Sequence, residues 1–394
     1  MTRSRNGSWI WLLFLFSVIA GCAESIDRET PPEDAIFSVT DMVLTADGGY
    51  LLVLSGNFER AYDHGRISVW DIAAKKVTSS LLVGSLGGRL FLTSDEKTLY
   101  VTTREAGLLH RIDISHDLNG KPWLAYGGSG LGEVSVAVRP EPYAMSATTD
   151  EGLLLVTHLL NGEVAVFQRA EGSADTLAGI FQMESGITDI VADPLHDVFL
   201  TAHKRSDRLG LLRITADTPA TKETPGTVSA VTGYIDLPLP LPGVDVRDIV
   251  TSIEQDATYY LSYRNRDDAG YESPMLLKMT IGEEGGVFTA RRSWATALQG
   301  DIGEAAVVSC QAEPDLELVF VAVPSDRSVS VFESFGGTLV GRIDLEDCTP
   351  YQLYSRPWDP ERRLFVGCFR EDRVLILNAD CTGDGLFAVE EDIR

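Results

Sequence analysis

The stretch "LYVTTREAGLLHRIDI", Leu99 to Ile114, decides the fold. A β-branched and aromatic run leads into the polar turn "REAG", and a second apolar run follows. That pattern is a hairpin of two strands. Six more hairpins of the same kind recur along the chain. Their leading strands are "YLLVLS", "LLLVTH", "DVFLTAH", "TYYLSY", "LVFVAV" and "RLFVGC". Their trailing strands are "GRISVWDI", "GEVAVFQ", "LGLLRI", "MLLKMTI", "RSVSVFES" and "DRVLILN". With Ser55, Thr103, His158, His203, Tyr263, Val323 and Cys368 as equivalent points, the spacings are 48, 55, 45, 60, 60 and 45 residues.

A strand-like piece precedes each hairpin, among them "DMVLT", "GRLFLTSD", "ITDIVADP" and "VRDIVTSI". Another usually follows, as in "TLAGIF", "AVTGYIDL" and "TLVGRIDL". Four strands in about fifty residues, repeated, is the signature of radial repetition. The runs are nearly continuous in apolar residues, which fits sheets covered on both faces. No single sheet can hide both faces alone, so the sheets must stack, and a ring leaves no bare end. The expected fold is all-β, a seven-bladed β-propeller of four-stranded antiparallel blades. Two separate β-sandwiches would need a central linker. The one candidate, "ADTPATKETPGTVS" (216–229), is flanked by equivalent hairpins and reads as a long loop in the fourth blade.

"SDEKTLYVTTREAGLLHRIDI", Ser94 to Ile114, resembles the YVTN repeat of bacterial β-propellers. "PYAMSATTDEGLLLVTHLLNGEVAVF" and "PYQLYSRPWDPERRLFVGCFREDRVLIL" resemble it nearly as well, and blades four to six less. The repeat specifies turns and packing, so the resemblance carries over no catalytic residue. Relatives with this blade type include lactonase-like, haem d1 and quinoprotein propellers.

The amino terminus supplies an address. Arg3 and Arg5 precede an apolar run from Trp9 to Ala20, too short to span a bilayer. A basic start, a short apolar core and small residues at its end describe a secretory signal. Ile19-Ala20-Gly21-Cys22 resembles the bacterial lipobox, which implies diacylglyceryl attachment at Cys22 and cleavage before it. Ala23 in place of Asp implies, by the same resemblance, the outer membrane. The expected organisation is a signal peptide over 1–21, a flexible tether over 22–35 and the propeller over 36–394. Loss of residues 1–21 removes two arginines and no acids, taking the formal charge from −25 to −27. That sign opposes nucleic-acid binding, which needs cations against phosphates. It also repels anionic headgroups, so the expected membrane attachment runs through the lipid.

No C-x-x-C-H, H-E-x-x-H, G-x-S-x-G or Walker pattern occurs. No cofactor, metal site or catalytic residue is therefore assigned. "GGSGLGE" (127–133) reads as a loop, and "NADCTGDG" (378–385) as a turn faintly like a calcium loop. His158 and His203 end equivalent second strands in neighbouring blades and are candidate ligand-binding residues. Arg264 and Arg266 follow the corresponding strand of blade five and are candidate anion receivers. Cys310, Cys348, Cys368 and Cys381 fall in the last two blades, and an even count outside the cytoplasm points to disulfides. Cys348 enters the first strand of blade seven and Cys368 leaves its second, at one end of an antiparallel pair. They are the expected bond, leaving Cys310 with Cys381 toward the opposite face.

Two functions compete. One is a lipid-anchored envelope propeller that binds or scaffolds a protein or glycan partner, and the sequence leans this way and away from an enzyme. The other is a lactonase-like or other hydrolytic propeller working in its central funnel. An apolar channel would remove the enzyme reading, whereas a cluster of charged side chains there would sustain it.

Overall fold

The computed structural model describes residues 28–393 except 119, 127–134, 170–174, 219–225, 239–243, 267–271, 311–315, 358, 380 and 382–388. The glycine-rich 127–133 loop and most of the 378–385 turn thus lie outside the described residues. So do the signal segment and Cys22.

Seven antiparallel sheets follow one another along the chain, each with strands in sequence order from axis to rim. Blade 1 runs Val39–Leu44, Tyr50–Ser55, Gly65–Asp71 and Lys76–Val83. Blade 7 runs Pro350–Ser355, Arg363–Cys368, Arg373–Asn378 and Val389–Ile393. In blade 2 the rim strand comes in two pieces, Pro122–Tyr126 and Ser135–Ala137, both paired to Leu108–His116. The structure is a seven-bladed β-propeller. Among the described residues no helix is long and apolar enough to cross a membrane.

Burial follows position in the blade. The second strands Thr98–Thr103, Leu153–His158, Val198–His203 and Arg363–Cys368 are buried at every residue. Each is pressed between two neighbouring sheets, so both faces are apolar. The rim strands Thr227–Asp236 and Val287–Ala297 instead alternate exposed and covered residues. Apolar clusters accordingly lie between blades: Leu52, Leu54 and Val69 of blade 1 pack with Leu99, Val101 and Ile112 of blade 2. At about 25 cal/mol per Å² of apolar surface, this inter-blade burial is the main force holding the ring.

The ring closes without strand exchange. The carboxy-terminal strand Val389–Ile393 completes blade 7 against Arg373–Asn378. It begins where the apolar "GLFAV" (385–389) ends, so the closing strand is the acidic "VEEDI". At the seam Ile36 packs with Val374, Ile376 and Ile393, and the Ser38 amide donates to Asp372 at 2.8 Å.

Three expectations need adjustment. Residues 29–35, expected to belong to the flexible tether, are held against blade 1. The Asp63 amide donates to the Glu29 carbonyl at 3.1 Å, and Arg66 Nη2 donates to the Pro31 carbonyl at 2.6 Å. The 216–229 loop is shorter too, since Arg208–Thr218 and Thr227–Asp236 extend into it as paired strands. Finally, the polar rim strands Lys76–Val83 and Val287–Ala297 are not among the apolar segments that mark the blades in sequence.

Two disulfides join the cysteines. Cys348–Cys368 lies within blade 7, with Cα atoms 5.0 Å apart. Cys310–Cys381 ties the end of blade 6's inner strand to blade 7, at 5.7 Å.

Candidate functional site

One register irregularity repeats around the axis. Along the inner strands, pairing skips Thr40 in blade 1, Thr188 in blade 4, Arg247 in blade 5 and Tyr351 in blade 7. In blades 2 and 3 it skips two residues, Gly88 with Arg89 and Tyr143 with Ala144. A bulge bends the strand and re-aims the extra side chain. Here the bulges turn residues toward the axis, where Thr40, Gly88, Tyr143, Thr188, Arg247 and Tyr351 line a central cavity of about 360 Å³. Gly88 leaves the wall bare: a Cβ there would sit 2.5 Å from Thr102 Oγ1 and 2.9 Å from the Tyr143 carbonyl.

The cavity opens on the face carrying the turns between second and third strands, which contribute Phe58, Arg104, Leu159, Lys204 and Phe369. Its wall has two arcs. On one side Phe58 meets Phe369 at 5.7 Å between ring centroids, and Tyr351 meets Phe369 at 6.0 Å. Arg104 lies 5.8 Å over Phe58 and 5.6 Å over Tyr143, held by Glu141 at 2.6 Å. On the other side stand Lys204 and Arg247. Among the described residues Lys204 has no ion pair or side-chain hydrogen bond. Burial, together with repulsion from Arg247, Arg104 and Arg264, pulls its pKa down, against attraction from Asp245.

Beneath the bulges lies a charged floor. Three inner strands share a repeated pattern, "VTDMV", "ITDIV" and "VRDIV", which places Asp41, Asp189 and Asp248 at its third position. Each carboxylate clasps the next blade. Asp41 accepts the Leu90 amide at 2.6 Å, Asp189 the Ile249 amide at 3.3 Å, and Asp248 the Ala305 amide at 2.8 Å. Arg89 sits among them. It pairs with Glu304, lies 3.8 Å from Asp41 and 4.0 Å from Asp248, and donates to Gln352 Oε1 at 3.2 Å.

Burial raises the pKa of Asp41, and raises those of Asp189 and Glu304 well above the carboxylate range. For Asp189 the neighbouring charge of Asp248, to which it is also hydrogen-bonded, adds to the effect. Arg89 partly offsets all three. Burial also pushes the Tyr143 hydroxyl up to about 12. The floor thus crowds carboxyl groups around one guanidinium, and burial there favours the protonated forms of Asp41, Asp189 and Glu304. Among the described residues no group of three or more His, Cys, Asp and Glu is arranged to hold a metal ion.

The four residues singled out by sequence fall differently. His158 and His203 are fully buried at the ends of their strands. His158 Nδ1 lies 3.2 Å from the Glu163 carbonyl, and His203 Nε2 lies 2.8 Å from Thr201 Oγ1. They belong to the packing between blades, and the residues that follow them, Leu159 and Lys204, line the funnel. Arg264 is paired with Asp301 and near enough to Lys204 to affect it. Arg266 ends a strand, paired in register with Glu272. Sequence reasoning missed the inner-strand residues, although an aspartate repeated inside three otherwise apolar strands was a signal for them.

No family model and no curated protein matches the sequence. Solved structures do match. Hydrazine synthase of Kuenenia stuttgartiensis superposes with a TM-score of 0.61 at 12% identity, over 91% of this chain and 99% of that one. The periplasmic gluconolactonase PpgL of Pseudomonas aeruginosa gives 0.60 at 18%, over 87% and 96%. The β-propeller domain of Myceliophteria thermophila Cps50 (Swd1) gives 0.57 at 11%, over 90% and 99%. At such identities the likeness is one of fold.

Proposed function

We propose that this chain is a lipid-anchored propeller of the bacterial cell envelope whose central funnel binds a small anionic, sugar-sized ligand such as an aldonate. The lipobox-like Ile19-Ala20-Gly21-Cys22 supports the anchor. The funnel reading is carried by Lys204, an ammonium with no partner among the described residues, beside Arg247 in a chain of formal charge −25. An anion there relieves the repulsion among three cations. The aromatic arc of Phe58, Phe369 and Tyr351 offers flat apolar surface to the C–H face of a sugar. Titration calorimetry with D-gluconate and with inorganic phosphate tests this. Gluconate binding that Lys204→Met weakens at least tenfold supports the reading; no binding, or binding indifferent to the substitution, overturns it.

A second reading, lactone hydrolysis, is favoured by Glu304, which reaches the cavity and whose pKa burial raises well above the carboxylate range, favouring the protonated form. Water adds to the lactone carbonyl, Lys204 and Arg247 face the oxyanion, the Glu304 carboxyl gives its proton to the ring oxygen as the C–O bond breaks, and the added water returns a proton to Glu304, giving a hydroxy acid. The shared fold with a gluconolactonase agrees with this but is analogy. Turnover of D-glucono-1,5-lactone above the spontaneous rate, reduced about 10²-fold or more by Glu304→Gln, is the expected result.

A further inference from the structure

We infer that the funnel face of this propeller is its membrane-facing surface, so that the funnel opens toward the bilayer that carries the lipid. This rests on the lipidation of Cys22 proposed above. Two observations converge on it.

The first is where the chain enters the fold. Glu29 and Thr30 lie against the 56–64 turn of blade 1, with Thr30 Oγ1 donating to Asp63 at 3.2 Å and Glu29 bridged to Tyr62. Phe37 then packs on Tyr62 at 4.7 Å between ring centroids, and its amide donates to Ser55 Oγ at 3.1 Å. That same turn supplies Phe58 to the funnel wall. The amino-terminal lead is therefore fastened to the funnel face, beside its mouth.

The second is reach. Cys22 lies six positions before Arg28, and a chain extends at most about 3.5 Å per residue, roughly 20 Å in all. The opposite face lies a full blade strand away, about 20 Å for six residues, with turns projecting beyond it at both ends. A lipid at Cys22 can bring the funnel face to a bilayer surface and cannot bring the opposite one.

The test uses the full lipidated chain, reconstituted into vesicles of phosphatidylethanolamine and phosphatidylglycerol. One fluorophore is attached through Glu105→Cys in a funnel-face turn, or through Lys97→Cys on the opposite face. Spin-labelled lipid is the quencher, and the mass of the Cys22 peptide is measured in parallel. Lipid-bearing Cys22 with the Glu105→Cys probe quenched at least threefold more than the Lys97→Cys probe is the supporting result. Lipid-bearing Cys22 with equal or reversed quenching overturns the orientation and leaves the anchor standing. An unmodified Cys22 overturns both.

Discussion

Lys204 illustrates how a side chain can be costly to the fold and useful to the site. Its ammonium is desolvated and repelled by three arginines, without a compensating pair among the described residues. Replacing it with Met removes that repulsion. The ligand-free protein should then melt about 1–3 °C higher while losing anion affinity, a trade often seen at binding sites. Differential scanning calorimetry beside the titrations checks both. Asp189 and Glu304 make a second case. Burial raises both, so the folded chain keeps protons that the unfolded chain, with ordinary carboxyls near 4, has already lost. Their contribution is complete below the ordinary carboxylate range and is lost as pH rises through the raised values. Unfolding midpoints should fall from pH 5 toward pH 8, and Asp189→Asn, which cannot ionise, should flatten that slope. A midpoint unchanged by pH in both proteins would contradict the description of the floor.

At the scale of the element, the informative unit is the turn between first and second strands. "TADGG", "TSDEK" and "TTDEG" fold alike: Thr45, Thr93 and Thr148 donate to Asp47, Asp95 and Asp150 at 2.7, 2.7 and 2.6 Å. The next residue is left-handed in each, Gly48 at φ 71°, Glu96 at 55° and Glu151 at 52°. Glutamate in that conformation is strained by about 1 kcal/mol. It persists because the carboxylate is bonded on two sides: Glu151 accepts the Ser94 amide of the preceding blade at 2.8 Å and Arg169 of its own blade at 3.0 Å. Glu151→Ala should therefore cost about 1–2 kcal/mol in chemical denaturation, and Glu151→Gly about 1 kcal/mol less, because glycine relieves the strain. This turn was legible in sequence, as were the first, second and third strands, whose apolar runs follow from coverage on both faces. The rim strands were less so, because one face meets water and their composition turns polar. The funnel was hidden for another reason. Which inner-strand residue a bulge turns toward the axis depends on pairing with the next strand. His158 and His203 consequently came within one residue of the wall without being part of it.

At the scale of the whole molecule, stability is distributed around a ring whose two chain ends meet between blades 7 and 1. Both disulfides lie one interface back, in the packing between blades 6 and 7. Cys310–Cys381 closes a span of 71 residues and Cys348–Cys368 one of 20. Loop-closure entropy assigns them about 4 and about 3 kcal/mol. The Cys310→Ala/Cys381→Ala pair should thus lower the urea midpoint more than Cys348→Ala/Cys368→Ala does. An equal or opposite ranking would mean that native contacts, and not unfolded-chain entropy, set their worth. The seam itself has no shared strand among the described residues; side chains hold it, with Val39, Met42 and Leu51 of blade 1 packed against Phe365, Val374 and Ile376 of blade 7, the Ser38 amide on Asp372, and Arg356 donating to the Thr45 carbonyl at 2.8 Å. A tug on the amino-terminal lead is met first by blade 1, through the Asp63–Glu29 and Arg66–Pro31 bonds, and only afterwards by this joint. Under load the short bonded stretch from Glu29 to Ala35 should therefore peel away before the circle of sheets is strained, a mechanical fuse ahead of the ring.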